Sequence, residues 1–357
     1  MTSSYRLLWC QKSENRILYE KMTTTSVLLT VTTTWSATSE KIEKDGGCLG
    51  RTVKHVTAEA AKELRESPAT REQALAMMKE WIQQNNDIKN VRQDESFILR
   101  FLRHKKYSIP MAQQTLLKYL NLRKSYPEVF TQVDCNEARL KEILNNGYIT
   151  VSPIRDSKGR RVIVYNMSRF NALKFNCWDM CRAHFVVYES LLEDAVDQVC
   201  GFVHVGDGQG VTGAHVTTWN PTDFARLMKW GEQSLPMRHK EFHIINVPSA
   251  LKYIVDFALT RVTPKMASRL KMHSNLKQLH QHIDAACLPT SYGGALNFED
   301  MVDYTRQLLN EQRSKLIDLD VMEILSARGI TTSRNNKTDT VNGDVLLQGS
   351  FRKLEID

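Results

Sequence analysis

The spacing of the hydrophobic residues changes once along this chain of 357 residues. Up to about residue 130 the apolar residues recur only at helical spacing, whereas from about residue 147 short β-branched runs alternate with helical segments. Such alternation is typical of a mostly parallel sheet with helical cover. The sequence therefore predicts an α/β fold class, with an all-helical N-terminal lobe before the sheet. We predict strands at 161–166, 201–206 and 241–247, and helices at 178–195, 221–233, 249–260 and 264–271.

Capping signals predict the helices of the first lobe. Thr70 and Gln73 have the spacing of a capping box, Asp94 precedes an apolar helical run, and Pro110 begins another. The outer segments show no sustained period or are polar throughout. We therefore divide the chain into a poorly ordered extension (1–56), the helical lobe (57–130), the sheet-containing domain (131–297), C-terminal helices (298–330) and a disordered tail (331–357).

Composition excludes several classes of protein. No run of about 18 uncharged apolar residues is present, so we expect no membrane-spanning helix, and the first residues lack the pattern of a signal peptide. The seven cysteines are an odd number at scattered spacings, which favours reduced thiols over a disulfide framework. We therefore expect a cytoplasmic protein.

Positive charge is concentrated between Leu235 and His282. This stretch has eight lysines or arginines against two acids, in a chain whose net charge is +8. Cations beside an anionic leaflet each contribute about 1 kcal/mol, but charge alone fits a solvated surface equally well. Nucleic acid is disfavoured as a partner, because the interleaved apolar residues are mostly aliphatic and offer no stacking platform.

Gly208, Gly210 and Gly213 form a GxGxxG motif after a predicted strand, which is the pattern of a dinucleotide-binding loop. Two features argue against nucleotide binding. The next helix is predicted to begin near Pro221, too late for the third glycine to pack it on the strand, and the following strand ends at Asn246 without an acidic residue for a ribose. We therefore interpret these glycines as turn residues.

No catalytic, metal or cofactor site is evident. Cys177, Cys181 and His184 fall within reach of one another on one helix, but no fourth ligand accompanies them. His273 lies among basic residues and is expected at the surface or as a capping residue. The sequence also has no GxSxG elbow and no P-loop. We predict a non-enzymatic protein that uses no cofactor.

Cys181, His184 and Tyr188 are spaced so that they stack on one side of the predicted helix at 178–195. Such a face either lines a cavity or packs in the core, with His184 and Tyr188 bonded to the backbone. A pocket of apolar residues with a few polar groups suits a hydrophobic small molecule. Its apolar wall would comprise Phe202, Val203, Val205, Val211, Leu227, Trp230, Leu235 and Phe242.

Four ordered segments resemble the CRAL-TRIO lipid carriers, in particular the tocopherol-transfer and retinaldehyde-binding branch. Residues 94–107 (DESFILRFLRHKKY) resemble the helix that opens these proteins, and 205–210 (VGDGQG) resemble a strand end. Residues 242–248 (FHIINVP) and 288–294 (LPTSYGG) resemble two later motifs. The resemblance covers about residues 60–320, and it implies a hydrophobic cavity over a sheet, closed by a mobile helical gate near residues 249–270.

The resemblance also implies a phosphoinositide site beside the gate. The tocopherol branch binds phosphatidylinositol bisphosphates through four cations, and the matching positions here are Arg238, Lys240, Lys265 and Arg269. Phosphatidylinositol exchange is not implied. The branch of the family that exchanges phosphatidylinositol has a glutamate at the position of Met237.

The function that the resemblance implies is non-catalytic carriage of a tocopherol-, retinoid- or similar lipid. The carrier would dock on endosomal or other phosphoinositide-rich membranes and release its cargo when the gate opens. A phosphoinositide-reading trafficking adaptor without cargo is the alternative, and a nucleotide-dependent oxidoreductase is a remote one. The ligand, the membrane and the oligomeric state are not specified by the sequence.

Overall fold

The computed structural model describes residues 9–10, 17–18, 56–218 and 221–331. The predicted extension (1–56) and tail (331–357) therefore lie almost entirely outside the described residues. Near the N-terminus, β1 (Trp9–Cys10) pairs antiparallel with β2 (Ile17–Leu18). No described helix is both long and apolar enough to cross a bilayer.

The N-terminal lobe is helical, and its capping differs from the prediction at one position. Ser67, rather than Thr70, caps the first helix, because its hydroxyl accepts a hydrogen bond from the Thr70 amide at 3.1 Å. Asp94 caps the second helix as predicted, accepting from Phe97 N at 3.0 Å. The elements are a π-helical turn (Ala60–Leu64), α1 (Pro68–Gln84), β3 (Ile88–Lys89), α2 (Glu95–His104), α3 (Ile109–Ser125), α4 (Pro127–Phe130) and α5 (Ala138–Asn145).

The second lobe contains a five-stranded sheet in the order β4-β5-β6-β7-β8. The pairs from β5 to β8 are parallel, and β4 is antiparallel to β5, as predicted for a mostly parallel α/β sheet. Its strands are β4 (Ile149–Val151), β5 (Arg161–Asn166), β6 (Phe202–Asp207), β7 (His239–Ile245) and β8 (Leu270–His273).

Helices cover the sheet and connect its strands. The asparagine that precedes the longest of these connecting helices forms a capping box, because Asn176 accepts hydrogen bonds from Asp179 N and the Asp179 carboxylate accepts one from Asn176 N. These helices are α6 (Cys177–Leu191), α7 (Ala195–Cys200), α8 (Gly213–Thr218), α9 (Pro221–Gln233), α10 (Ser249–Leu259), α11 (Pro264–Ala267) and α12 (Leu276–His280). The chain continues through α13 (Phe298–Ile317), and β9 (Glu323–Ile324) pairs with β3.

One predicted element is wrong in its second half. The helix expected at 264–271 ends at Ala267, and Leu270–His273 forms the edge strand β8. Each residue of β8 pairs with one residue of β7, from Phe242 opposite Leu270 to Ile245 opposite His273. Pairing with β7, which no local pattern reveals, therefore decides the conformation here.

Two arginines of α2 join the lobes. Arg100 donates to Glu189 at 2.7 Å and to Glu193 at 2.5 Å, and its side chain is 0% exposed. Arg103 donates to both carboxylate oxygens of Glu66 and to Gln198 Oε1 at 2.8 Å. The two arginines of the segment 94–107 are therefore fixed inside the protein and face no solvent.

Two of the family-like segments meet where β6 and β7 end. Asn246 Nδ2 donates to Asp207 Oδ1 at 2.9 Å. Gly208 follows directly, and a Cβ at that position would lie 2.7 Å from the Asn246 carbonyl oxygen. A residue larger than glycine would therefore separate the two strand ends.

Candidate functional site

Consecutive side chains at the start of β7 lie in different surroundings. Phe202 pairs with His239 and Val203 pairs with Glu241, so Lys240 is an extra residue in the ladder. Such a bulge changes the direction of side chains. The imidazole of His239 is buried, whereas Arg238 and Lys240 both extend to Glu63, in the turn before α1.

Arg238 and Lys240 share one carboxylate. Arg238 forms an ion pair with Glu63 and also donates to the Val199 carbonyl at 2.5 Å, and Lys240 Nζ lies 2.5 Å from Glu63 Oε2. Gly201 makes room for them, because its φ is +81° and a Cβ there would overlap the Arg238 carbonyl and lie 3.0 Å from Lys240 Cγ. The positive φ and the close approach both require glycine.

Arg269 joins this pair. Its guanidinium donates to the His239 carbonyl, and burial together with the charge of Arg238 lowers the pKa of Arg269. Burial and Arg238 likewise lower the pKa of Lys240. The structure thus brings three of the four predicted cations together around Glu63.

The fourth predicted cation, Lys265, lies among lysines of the helical lobe. Burial, followed by the charges of Lys118 and Lys265, lowers the pKa of Lys105, and burial lowers the pKa of Lys118. Glu232 influences both Lys105 and Arg269, so the two groups of cations adjoin. We call the whole group the basic cleft; it comprises Arg238, Lys240, Lys265, Arg269, Lys105 and Lys118. Sequence reasoning missed Lys105 and Lys118.

On the inner side of the sheet, polar side chains form a continuous hydrogen-bond chain. Tyr148 OH lies 2.8 Å from His184 Nε2, and His184 Nδ1 lies 3.4 Å from Tyr188 OH. His184 and Tyr188 therefore bond to other side chains, and the expectation of backbone partners is wrong. Burial lowers the pKa of His184 to about 4, so the imidazole is neutral at pH 7.

The same chain continues to the start of β7. Tyr165 OH lies 2.7 Å from Tyr188 OH and 2.7 Å from His204 Nδ1, and His204 Nε2 lies 2.9 Å from His239 Nδ1. Burial, followed by the charge of Arg269, lowers the pKa of His239 to about 4. The interior hydrogen-bond chain therefore ends at the residue whose carbonyl accepts from Arg269.

Most of the predicted cavity residues surround this chain. Cys181, Phe202 and Leu235 are buried in one cluster, against which Tyr188, Val211 and Trp230 pack. Phe242 stacks on His204 with ring centroids 4.4 Å apart. The side chain of Leu227 lies outside what the structure describes. Whether these residues line a ligand cavity stays a prediction.

Val203 and Val205 were predicted for the same wall, and that prediction is wrong. They pack on the other face of the sheet, with Val162 and Leu279. Successive residues of a strand point to opposite faces, so Phe202 and Val203 cannot share one.

Helix α10, the predicted gate, packs its apolar face inward against α9. Ile254 and Val255 are 0% and 1% exposed, whereas Tyr253 is 66% exposed. Helix α10 is therefore packed against the rest of the domain, with the aromatic side chain of Tyr253 on its outer surface.

The GxGxxG segment differs from its prediction in one respect. A helix begins at Pro221 as predicted, but helix α8, which begins at Gly213 itself, precedes it, so the expectation that no helix starts at the third glycine is wrong. Protein atoms nonetheless fill the space beside Gly208 and Gly210. A Cβ on Gly210 would lie 2.8 Å from Ser168 Cβ, and Gly208 adjoins Asn246. Their requirement for glycine follows from this packing.

His273 and the described cysteines lie in the interior of the protein. Among the described residues, no group of three or more His, Cys, Asp or Glu side chains is arranged to hold a metal ion. His273 is buried, not at the surface, and its Nε2 lies 2.8 Å from His243 Nδ1. The five cysteines that the structure describes as free thiols are all buried.

The chain is similar to known proteins over most of its described length. Residues 145–294 match the family model described as CRAL/TRIO domain, and residues 67–140 match the one described as Pinta-like, UBA domain. The alpha-tocopherol transfer protein-like protein of Mus musculus is 29% identical over 255 residues, covering 71% of this chain and 74% of its own.

Two clavesins show comparable similarity. Clavesin-1 of Xenopus laevis is 28% identical over 69% of this chain and 75% of its own, and human clavesin-2 is 28% identical over 72% and 79%. A solved structure, of Sfh5, aligns with a TM-score of 0.44 and 13% identity over 70% of this chain and 99% of its own.

Proposed function

Because residues 145–294 match the CRAL/TRIO domain model, we propose that this chain belongs to the CRAL-TRIO family of lipid-binding proteins and is a non-catalytic carrier of a hydrophobic small molecule. The cargo would be a tocopherol, a retinoid or a similar lipid. The carrier docks on phosphoinositide-containing membranes through the basic cleft, and docking loads or releases the cargo.

The convergence of cations in the basic cleft is the observation that carries this proposal. The pKa values of Lys105, Lys240 and Arg269 are lowered, with burial as the first cause and neighbouring cations as the next. Like charges held this close are destabilising until an anion joins them. A bisphosphorylated headgroup supplies several negative charges and acceptor oxygens in a compact volume.

The interior of the second lobe supports a cargo that combines an apolar body with one polar end. Apolar side chains surround the interior hydrogen-bond chain, and this combination suits an amphipathic small molecule. His239 ends the chain of imidazoles and hydroxyls, and its carbonyl accepts from Arg269. Binding of an anion at Arg269 would therefore act directly on the strand that holds the polar end of the cargo.

Helix α10 is the element through which cargo would pass. Its inner face is fully covered, so uptake or release requires it to move. A headgroup shifts the gate equilibrium only if it binds the open form more tightly than the closed form. Lys265 and Arg269, in the segment that follows α10, are placed to make that difference.

Docking is tested by co-sedimentation with phosphatidylcholine vesicles, with and without phosphatidylinositol bisphosphate. We expect the Lys265→Ala/Arg269→Ala variant to bind the bisphosphate vesicles about 30-fold more weakly, since each cation contributes about 1 kcal/mol. The control, Lys89→Ala/Arg306→Ala, removes two exposed cations outside the cleft and should bind as the unmodified protein does. Equal binding by both variants would contradict docking through the cleft.

Carriage is tested separately from docking. Protein loaded with a fluorescent tocopherol or retinoid analogue should release it faster to vesicles that contain the bisphosphate lipid. If vesicles bind while no lipid can be extracted from the purified protein and no analogue is taken up, the protein reads phosphoinositides without carrying cargo.

A further inference from the structure

An acidic side chain of this protein already occupies part of the basic cleft. The Glu63 carboxylate lies between Arg238 and Lys240, forming an ion pair with each. The Arg238 side chain is 8% exposed and that of Glu63 is 29% exposed, so the arginine is enclosed and the carboxylate is the more accessible partner of the ion pair. An external anion can reach Arg238 only after Glu63 has moved.

Glu63 is ionised under all physiological conditions. Burial acts to raise its pKa, but the hydrogen bonds with Lys240 and Glu59 and the charges of Arg238 and Lys240 outweigh burial and lower the pKa to about 2. A protonation change therefore does not release it. Another anion must displace it.

The segment that presents Glu63 is anchored on both sides of this residue. Ala60 and Leu64 are buried against Val199 and Cys200. Further along, Glu66 accepts from Arg103 at 3.0 and 2.8 Å. The backbone is thus held in place, and rotation of the Glu63 side chain alone is enough to open the site.

We propose that Glu63 determines the headgroup specificity of the basic cleft, acting as an internal anion that only a polyphosphorylated headgroup displaces. This inference rests on the proposed docking function. A lipid with one negative charge would exchange its carboxylate or phosphate for the carboxylate already present, and the cleft would gain no charge neutralisation. A bisphosphorylated headgroup brings several charges, so it neutralises the freed Arg238 and Lys240 and the remaining cations together.

The test compares two kinds of vesicle with the same total lipid charge, one containing phosphatidylserine and the other phosphatidylinositol bisphosphate. The unmodified protein should prefer the bisphosphate vesicles. Glu63→Gln should bind phosphatidylserine vesicles at least about tenfold more tightly, because two cations become available to any anion. The preference for bisphosphate should fall accordingly.

Glu72→Gln is the matched control, since it makes the same charge change at an exposed position of α1. It should leave the preference unaltered. Glu63→Asp keeps the charge but shortens the side chain, and should give an intermediate preference. Thermal unfolding of each variant verifies that the fold is retained.

The inference is overturned if Glu63→Gln shows the same ratio of bisphosphate to phosphatidylserine binding as the unmodified protein. A lower unfolding temperature with an unchanged ratio would assign Glu63 a purely structural role, which also overturns it. Failure of the docking proposal looks different. In that case the unmodified protein binds neither kind of vesicle, and Glu63→Gln gains no bisphosphate binding.

Discussion

Replacing Arg100 by methionine is expected to lower the free energy of unfolding by about 3–5 kcal/mol. The guanidinium lies between Glu189 and Glu193 and its side chain is 0% exposed. Methionine keeps the aliphatic part of the side chain, but it leaves Glu189 enclosed without a cation. Urea unfolding at neutral pH, followed by circular dichroism, measures the loss.

The double variant Arg100→Met/Glu189→Leu separates the lost ion pair from lost packing. Removing both partners of a buried pair costs far less than removing one, so the double variant should recover at least about half of the stability. A loss below about 1 kcal/mol in the single variant, or losses that simply add, would show that the pair is not what holds the lobes together.

This role of Arg100 shows what a motif does and does not reveal. The segment 94–107 is one of four that resemble the CRAL-TRIO carriers, and its helical spacing predicted α2 correctly. The partners of Arg100 and Arg103 lie 37 to 95 residues away along the chain. No local pattern predicts such partners, because they are fixed only when α2 docks on α6 and α7.

The strands were predicted where the hydrophobic pattern and the length of the apolar run both indicated a strand. β5, β6 and β7 were found within two residues of their bounds, and the helices that begin at Pro221 and Ser249 were predicted correctly. The edge strand β8 was missed because it has four residues, two of them basic or histidine, directly after a short helix. Its conformation depends on pairing with β7 alone.

Four of the six cations of the basic cleft were predicted from the sequence. Arg238, Lys240 and Arg269 share one stretch of sequence, so their charge was visible in it. Lys105 and Glu63 belong to the helical lobe, and only the docking of that lobe brings them to the cleft. Counting charge along the chain also overstates the free charge, because Glu63 neutralises part of it from a distant segment.

The free energy of unfolding is expected to fall steeply as the pH drops from about 6.5 to about 4. Four histidines on α6, β6 and β7 have pKa values lowered from 6.5, with burial as the first cause in each, and burial also lowers the pKa values of His104 and His273. The folded protein keeps them neutral in this window, whereas the unfolded chain takes up protons near pH 6.5. They are His184, His204, His239 and His243.

Each of these imidazoles contributes up to about 1.4 kcal/mol per pH unit, so together they give a slope of order 5 kcal/mol per pH unit near pH 5. Carboxylates affect stability at lower pH. Burial acts to raise the pKa of Glu193, but the charges of Arg100 and Arg92 outweigh burial and lower this pKa from 4.5 to about 2. The stability that Glu193 contributes is therefore lost only below about pH 4.5. Urea titrations at several pH values between 7 and 5 measure the slope. His243→Gln should reduce the slope by about 1 kcal/mol per pH unit, and the exposed substitution Lys89→Ala should not change it. A flat stability over this range would mean that the histidines are protonated in the folded protein, and the neutral hydrogen-bond chain from Tyr148 to His239 would then be wrong.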